Sequence, residues 1–250
     1  MFRFFRQLRQ RLLTENRFRN YFLYALGEIF LVVIGILIAL QINTWNESRK
    51  EQGNLMKVYA QIQQDLQIDT LNLQRSIEDL EQKNFRLTDL VERNIPVSYY
   101  DTLNAANYEG CERCRSDITN LEPFQYLDKG YGLLKPLNTV QNLKEDLLTN
   151  SITEFYALYL PLVDEAQSIL IDISRQALMD YQQYDWFVDY ADFGRSTYNR
   201  EYVLYIFESE KHRRACAHYL IYSKFTLRVL REYRAHAIQI LQSIDEKLDG

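Results

Sequence analysis

Three cysteines and three histidines carry the chemistry that is easiest to recognise in this 250-residue chain. Cys111 and Cys114 stand in the run CERC, at the spacing of a redox or metal-binding pair, and His212 and Cys216 stand four residues apart, on one face of a helix. Together, Cys111, Cys114, His212 and Cys216 have the ligand composition of a structural zinc site. The same thiols can form a disulfide in an oxidising compartment, Cys111 with Cys114 or one of them with Cys216, or stay free. CERC lies in a polar loop rather than at a helix start beside a strand, which is not the redox-enzyme setting. No metal is expected, because nothing in the spacing brings the two pairs together.

Glu28 is the second group of interest, since it is the only formal charge within the 22 residues Tyr21–Ile42. A carboxylate inside an apolar span is costly and suggests a function. Seven-residue steps place Gly35 and Ile42 on its face, and Gly35 with Ala39 forms a small-xxx-small pair that lets helices approach closely. Two chemistries suit Glu28: a hydrogen-bonded group in a helix–helix contact, and a proton-responsive group facing a multi-span partner. Further on, the aromatic-dense segment 180–207 interleaves Asp180, Asp185, Asp189 and Asp192 with its rings. A ligand platform is one reading, and a helix corner covered by amphipathic rings is the favoured one. Asp192-Phe193-Gly194 imitates a kinase magnesium triplet without its partner motifs. His218 and His236 have no nucleophile elbow beside them, and metalloprotease, phosphate-loop and dinucleotide signatures are absent. The chain is not expected to be an enzyme or to need a cofactor.

The elements that position these residues begin with the membrane. Tyr21–Ile42 has the length needed to cross a hydrocarbon core ~30 Å thick. Tyr21, Tyr24 and Trp45 suit its interfaces, so the transmembrane helix is placed at 21–43. Six arginines against one glutamate in residues 1–20 make that tail basic, while Glu47, Arg49, Lys50 and Glu51 are balanced, so the tail is predicted cytoplasmic and residues 44–250 are placed on the other side of the membrane. Met1, Phe4, Phe5, Leu8 and Leu12 give the tail an apolar face suited to an anionic leaflet. Of the 29 basic and 34 acidic residues, 23 and 33 lie beyond residue 20, an acidic balance that argues against nucleic-acid binding.

With 8 glycines and 4 prolines, the chain lacks the turns of an all-β fold and is predicted all-α. Leu55, Val58, Ile62, Leu66, Leu73, Ile77, Leu80, Leu87 and Val91 form a narrow stripe, with Asp69 and Asn84 on the same seam, and predict one long helix over 44–94. Gly53 is a candidate hinge in it. A loop follows at 97–120, then a short helix near 123–129, a turn at Gly130–Gly132, a helix after Asn138, a long helix over 151–184 interrupted or kinked at Pro161, and a last helix within 199–248. The inward residues expected of the long helix are Ile152, Phe155, Leu158, Leu162, Ala166, Ile169 and Ile173. The 19 tyrosines are expected at the core boundary with their hydroxyls in water.

The run from Gly27 to Glu47, GEIFLVVIGILIALQINTWNE, resembles the N-terminal signature of a family of uncharacterised single-pass membrane proteins of Gram-negative bacteria. LLTNSITEFYALY (147–159) and YLIY (219–222) are similar to later pieces of that family. The resemblance implies an inner-membrane protein with a helical periplasmic domain and no assigned activity, and CERC is not part of its pattern. The expectation is therefore a bilayer-anchored, antiparallel helical bundle that acts through contacts, as a homo-oligomer or with a protein partner through the span and the long helix.

Overall fold

The structure, a computed structural model, describes residues 18–137, 146–190 and 197–249. The expected amphipathic helix in the basic tail, the helix after Asn138 and the Asp192–Gly194 triplet lie outside them. All regular elements among the described residues are helical: α1 (Phe18–Val91), α2 (Val97–Asp101), α3 (Lys129–Leu137), α4 (Leu147–Tyr181), α5 (Phe187–Tyr190), α6 (Arg200–Glu208) and α7 (Glu210–Asp249), with 3-10 turns at Tyr108–Gly110 and Glu112–Cys114. Gly53 is an ordinary helical residue of α1.

The chain divides into two compact units, Met1–Met56 and Lys57–Gly250. In the first, Phe22, Leu23 and the large apolar residues from Leu26 to Trp45 stand exposed along α1. The second is a bundle of three long helices: α1 from Lys57 onward, α4 and α7. Residue pairs fix the directions. Asp69 meets Tyr233 and Asn84 meets Ser223, so α1 and α7 are antiparallel. Tyr159 meets His236 and Tyr181 meets His212, so α4 and α7 are antiparallel as well. α1 and α4 consequently run the same way, and a parallel pair needs a long return, which residues 92–146 supply. The bundle is not antiparallel throughout.

The predicted α1 stripe is the core face: Val58, Ile62, Leu66, Leu73, Ile77, Leu80 and Leu87 are buried, with Asp69 and Asn84 beside them. On α4 the predicted Ile152, Phe155, Ala166 and Ile173 are buried, but Leu158 is 55% exposed, and Tyr156, Tyr159, Val163 and Leu170 widen the core face. Pro161 lies inside a helix that continues from Leu147 to Tyr181 and marks no junction. The final region is two helices, α6 and α7, parted at Ser209, whose ψ of 118° is extended.

The tyrosines depart most from expectation. Tyr59, Tyr156, Tyr181, Tyr219 and Tyr233 are the largest fully buried side chains among the described residues. A buried phenol needs a partner inside, and the bundle supplies several. Tyr59 donates to Asp146 (3.0 Å), Tyr202 to the Cys114 carbonyl (3.0 Å) and Tyr233 to Asp69 (2.9 Å). The hydroxyls of Tyr156 and Tyr219 have no partner.

Residues 121–137 form a strap across the bundle, and here the expected order of elements is reversed. The stretch before Lys129 is not helical, whereas Gly130–Gly132, predicted as a turn, belong to α3. Side chains replace the missing helical bonds. Gln167 accepts from the Phe124 amide (2.6 Å) and donates to its carbonyl (3.1 Å), and Asp69 accepts from the Leu127 amide (3.1 Å). Gly130 serves close packing: a Cβ there would stand 2.7 Å from the backbone nitrogen of Ile62.

Candidate functional site

Cys111 and Cys114 lie in the return segment between α1 and α3. Cys111 and Cys114 are joined as a disulfide, and Cys216 is a free, buried thiol on α7. The residues following the disulfide tie the surrounding helices together. Asp117 takes both Nε and Nη2 of Arg86 on α1 (2.8 and 2.7 Å), and Arg113 pairs with Asp89 (2.7 Å). Ser116 is hydrogen-bonded to Tyr181 on α4 (2.6 Å), and the Ile118 carbonyl accepts from Ser174 (2.6 Å). With the Tyr202 bond from α6, the segment 111–118 is held by three helices.

Behind it runs a chain of polar groups: Ser116 to Tyr181, Tyr181 to His212 Nδ1 (3.2 Å), and His212 Nε2 to Cys216 Sγ (3.3 Å). A cysteine beside a histidine is the outline of a nucleophile and its base, which needs an accessible thiolate. Here the environment drives both groups neutral. Burial lowers the His212 imidazole to a pKa of about 4, and burial, reinforced by the charge of Asp117, pushes the Cys216 thiol well above the usual thiol range. The pair works as a hydrogen-bonded seam between α4, α7 and segment 111–118. His212 and Cys216 are thus brought together, but Cys111 and Cys114 have no thiolates to add to a zinc site while disulfide-bonded. No cluster of three or more metal-ligating side chains occurs among the described residues.

The aromatic segment folds onto itself. Tyr181, Trp186, Tyr202 and Tyr205 are buried, with ring centroids 4.9 to 5.5 Å apart, so their faces meet each other. Asp180 is taken by Tyr205 (2.5 Å) and Lys211, and Asp189 by Asn199 (2.8 Å). These rings cover the junction of α4, α6 and α7.

Glu28, Gly35 and Ala39 are all exposed on α1, and beyond Gly35's own stretch of helix no atom of the described residues lies within 4 Å of where a Gly35 Cβ would stand. The helix reaches a mean hydropathy of 2.5 over an 18-residue window, none of it buried. It is long and apolar enough to cross a membrane.

Sequence reading missed most of the polar seam. Asp117, Ser116 and Asp65 carry no local signal. Asp69 does: an acid on an otherwise apolar stripe must find buried donors, and it accepts from Leu127 and Tyr233.

The molecule is thus a helical protein with a candidate membrane-spanning helix at its N-terminal end. Residues 28–106 match the model of a family of unknown function (DUF6090), a stretch that takes in Glu28, the rest of α1 and α2. No curated protein and no solved structure matches the chain.

Proposed function

We propose that this protein is a non-catalytic, membrane-tethered interaction protein of the Gram-negative inner membrane, with its N-terminus in the cytoplasm and its helical bundle in the periplasm. One observation carries the reading. The apolar run of α1 is unburied among the described residues, while His212 and Cys216, the histidine–thiol pair of the bundle, are consumed in internal hydrogen bonds. The arginines of residues 1–20 favour the cytoplasmic side for the tail, and a Cys111–Cys114 disulfide suits an oxidising compartment. Glu28, Gly35 and Ala39 form the face through which the span meets a second copy or another membrane helix.

Reporter fusions at the two ends test the topology. A phosphatase fused after residue 250 is expected to be active and a fluorescent protein fused there dark; the reverse pattern rejects the orientation. Crosslinking of Gly35→Cys or Ala39→Cys in native membranes is expected to trap an adduct that Leu37→Cys, on another face, does not give.

A second reading rests on the acid at Glu28, which is exposed on the span: a proton-coupled energising or sensory subunit. Glu28→Gln separates the two. If the phenotype of a deletion mutant is rescued by Glu28→Gln but not by a chain lacking the bundle, the energising reading fails.

A further inference from the structure

The strap is fastened to the bundle by two acids of α1 one helical turn apart. Asp69, fully buried, accepts from the Leu127 amide and from Tyr233. Asp65, 4% exposed, accepts from the Gly130 amide (2.7 Å) and from Gln61 (2.8 Å). Neither carboxylate is paired with a lysine, arginine or histidine among the described residues.

The other titratable groups facing the pair are Tyr233 on α7, Tyr156 on α4, and Tyr126, Asp128 and Tyr131 on the strap. The nearby cations are engaged elsewhere: Arg234 on α7 donates to the Thr70 carbonyl (3.2 Å), and Lys135 stands over the Tyr131 ring (4.5 Å). The Tyr156 hydroxyl is buried without a partner, next to Tyr131, on whose ring it stacks at 4.5 Å. Two buried carboxylates with no counter-charge repel each other, and the cluster relieves this most simply by taking up a proton.

We propose that Asp69 is a proton-operated latch for the strap: with Asp69 protonated the segment 124–130 is held tightly, and loss of that proton loosens it from α1. Such a latch follows external acidity in any compartment open to it and stands apart from the membrane topology proposed above. Burial, opposed by the Leu127 and Tyr233 bonds and aided by the charge of Asp65, raises Asp69 to a pKa of about 6. That value lies above its ordinary 3.8, so the fold binds the proton more strongly than the open chain does, and acid tightens the strap.

Hydrogen exchange of the full chain in nanodiscs tests this between pH 4.5 and 7.5. After correction for intrinsic exchange, amides in 124–130 of the wild type are expected to open about tenfold to a hundredfold more readily above the transition than below it. In Asp69→Asn that difference is expected to vanish, with peptides around Cys111 behaving alike in both proteins. Tyr233→Phe removes a donor that favours the ionised form, so its transition is expected at higher pH than the wild type's. A wild-type strap indifferent to pH, or a transition that persists in Asp69→Asn, overturns the proposal. Should Asp69→Asn fail to fold, a Tyr233→Phe transition unmoved from the wild-type midpoint overturns it instead.

Discussion

Arg93 holds the one positive φ among the described non-glycine residues, 60°. The Asn94 amide donates to the Asp89 carbonyl (2.9 Å) and the Arg93 amide to that of Leu90 (3.2 Å), the two bonds of a Schellman close on α1. Glycine is the residue this position favours, because a side chain at left-handed φ costs about 1 kcal/mol or more. Arg93 compensates in part by pairing with Glu210, whose carboxyl the neighbouring Arg213, and then Arg93, hold below its ordinary range. An exposed pair contributes little to stability. Arg93→Gly is therefore expected to leave the midpoint of urea unfolding unchanged or to raise it, while Arg93→Ala, which keeps the strained φ and loses the pair, lowers it. Equal loss in both variants would show that the ion pair outweighs the backbone.

At the scale of elements, the strap and the start of α4 are where single residues decide the packing. At Gly130 a Cβ would come within 2.9 Å of the Ile62 backbone at two atoms, and backbone cannot yield as a flexible side chain can. Gly130→Ala is expected to lower stability by roughly 2 kcal/mol or more, beyond the usual range of surface changes, with exchange rising first in the strap. Asp146 caps α4, accepting from the amides of Leu148 (3.0 Å) and Thr149 (3.1 Å), and also takes the Tyr59 hydroxyl and Lys247. Asp146→Ala removes the cap and two side-chain partners together. Its expected cost is about 1–3 kcal/mol, and Asp146→Asn should recover most of it. A cost no larger than that of an uncapped surface alanine would mean that Tyr59 finds another acceptor.

For the whole molecule, Asp69 and His212 set opposed pH dependences. Asp69 titrates higher folded than unfolded, so its contribution falls as pH rises from about 4 to 6. His212 titrates lower folded, at about 4 against an ordinary 6.5, so its contribution rises across nearly the same window. The two slopes oppose each other, each worth on the order of 2–3 kcal/mol over the window. Relative to the wild type, Asp69→Asn should gain stability as pH climbs from 4 to 6, and His212→Gln should lose it. Chemical denaturation at four or five pH values checks this, and parallel curves for all three proteins would reject it.

The sequence by itself determined what depends on local pattern. The membrane-length apolar run, the all-helical class and the core face of α1 from Val58 to Leu87 all follow from periodicity and composition, because a stripe that buries itself must repeat with the helix. Asp69 was visible as an acid on that stripe, although the amide it would hold was not. What only the tertiary structure decided are the relations between distant segments. Tyrosines fill the core because Asp69, Asp146, Ser116 and the Cys114 carbonyl meet their hydroxyls there, and none of those partners is close to its tyrosine in sequence. Position 130 needs a glycine because Ile62 leaves no room for a side chain, and Cys111 bonds Cys114 while Cys216 faces His212. A local pattern fixes which surface must be covered. Which segment covers it depends on long-range packing and on where buried donors find acceptors.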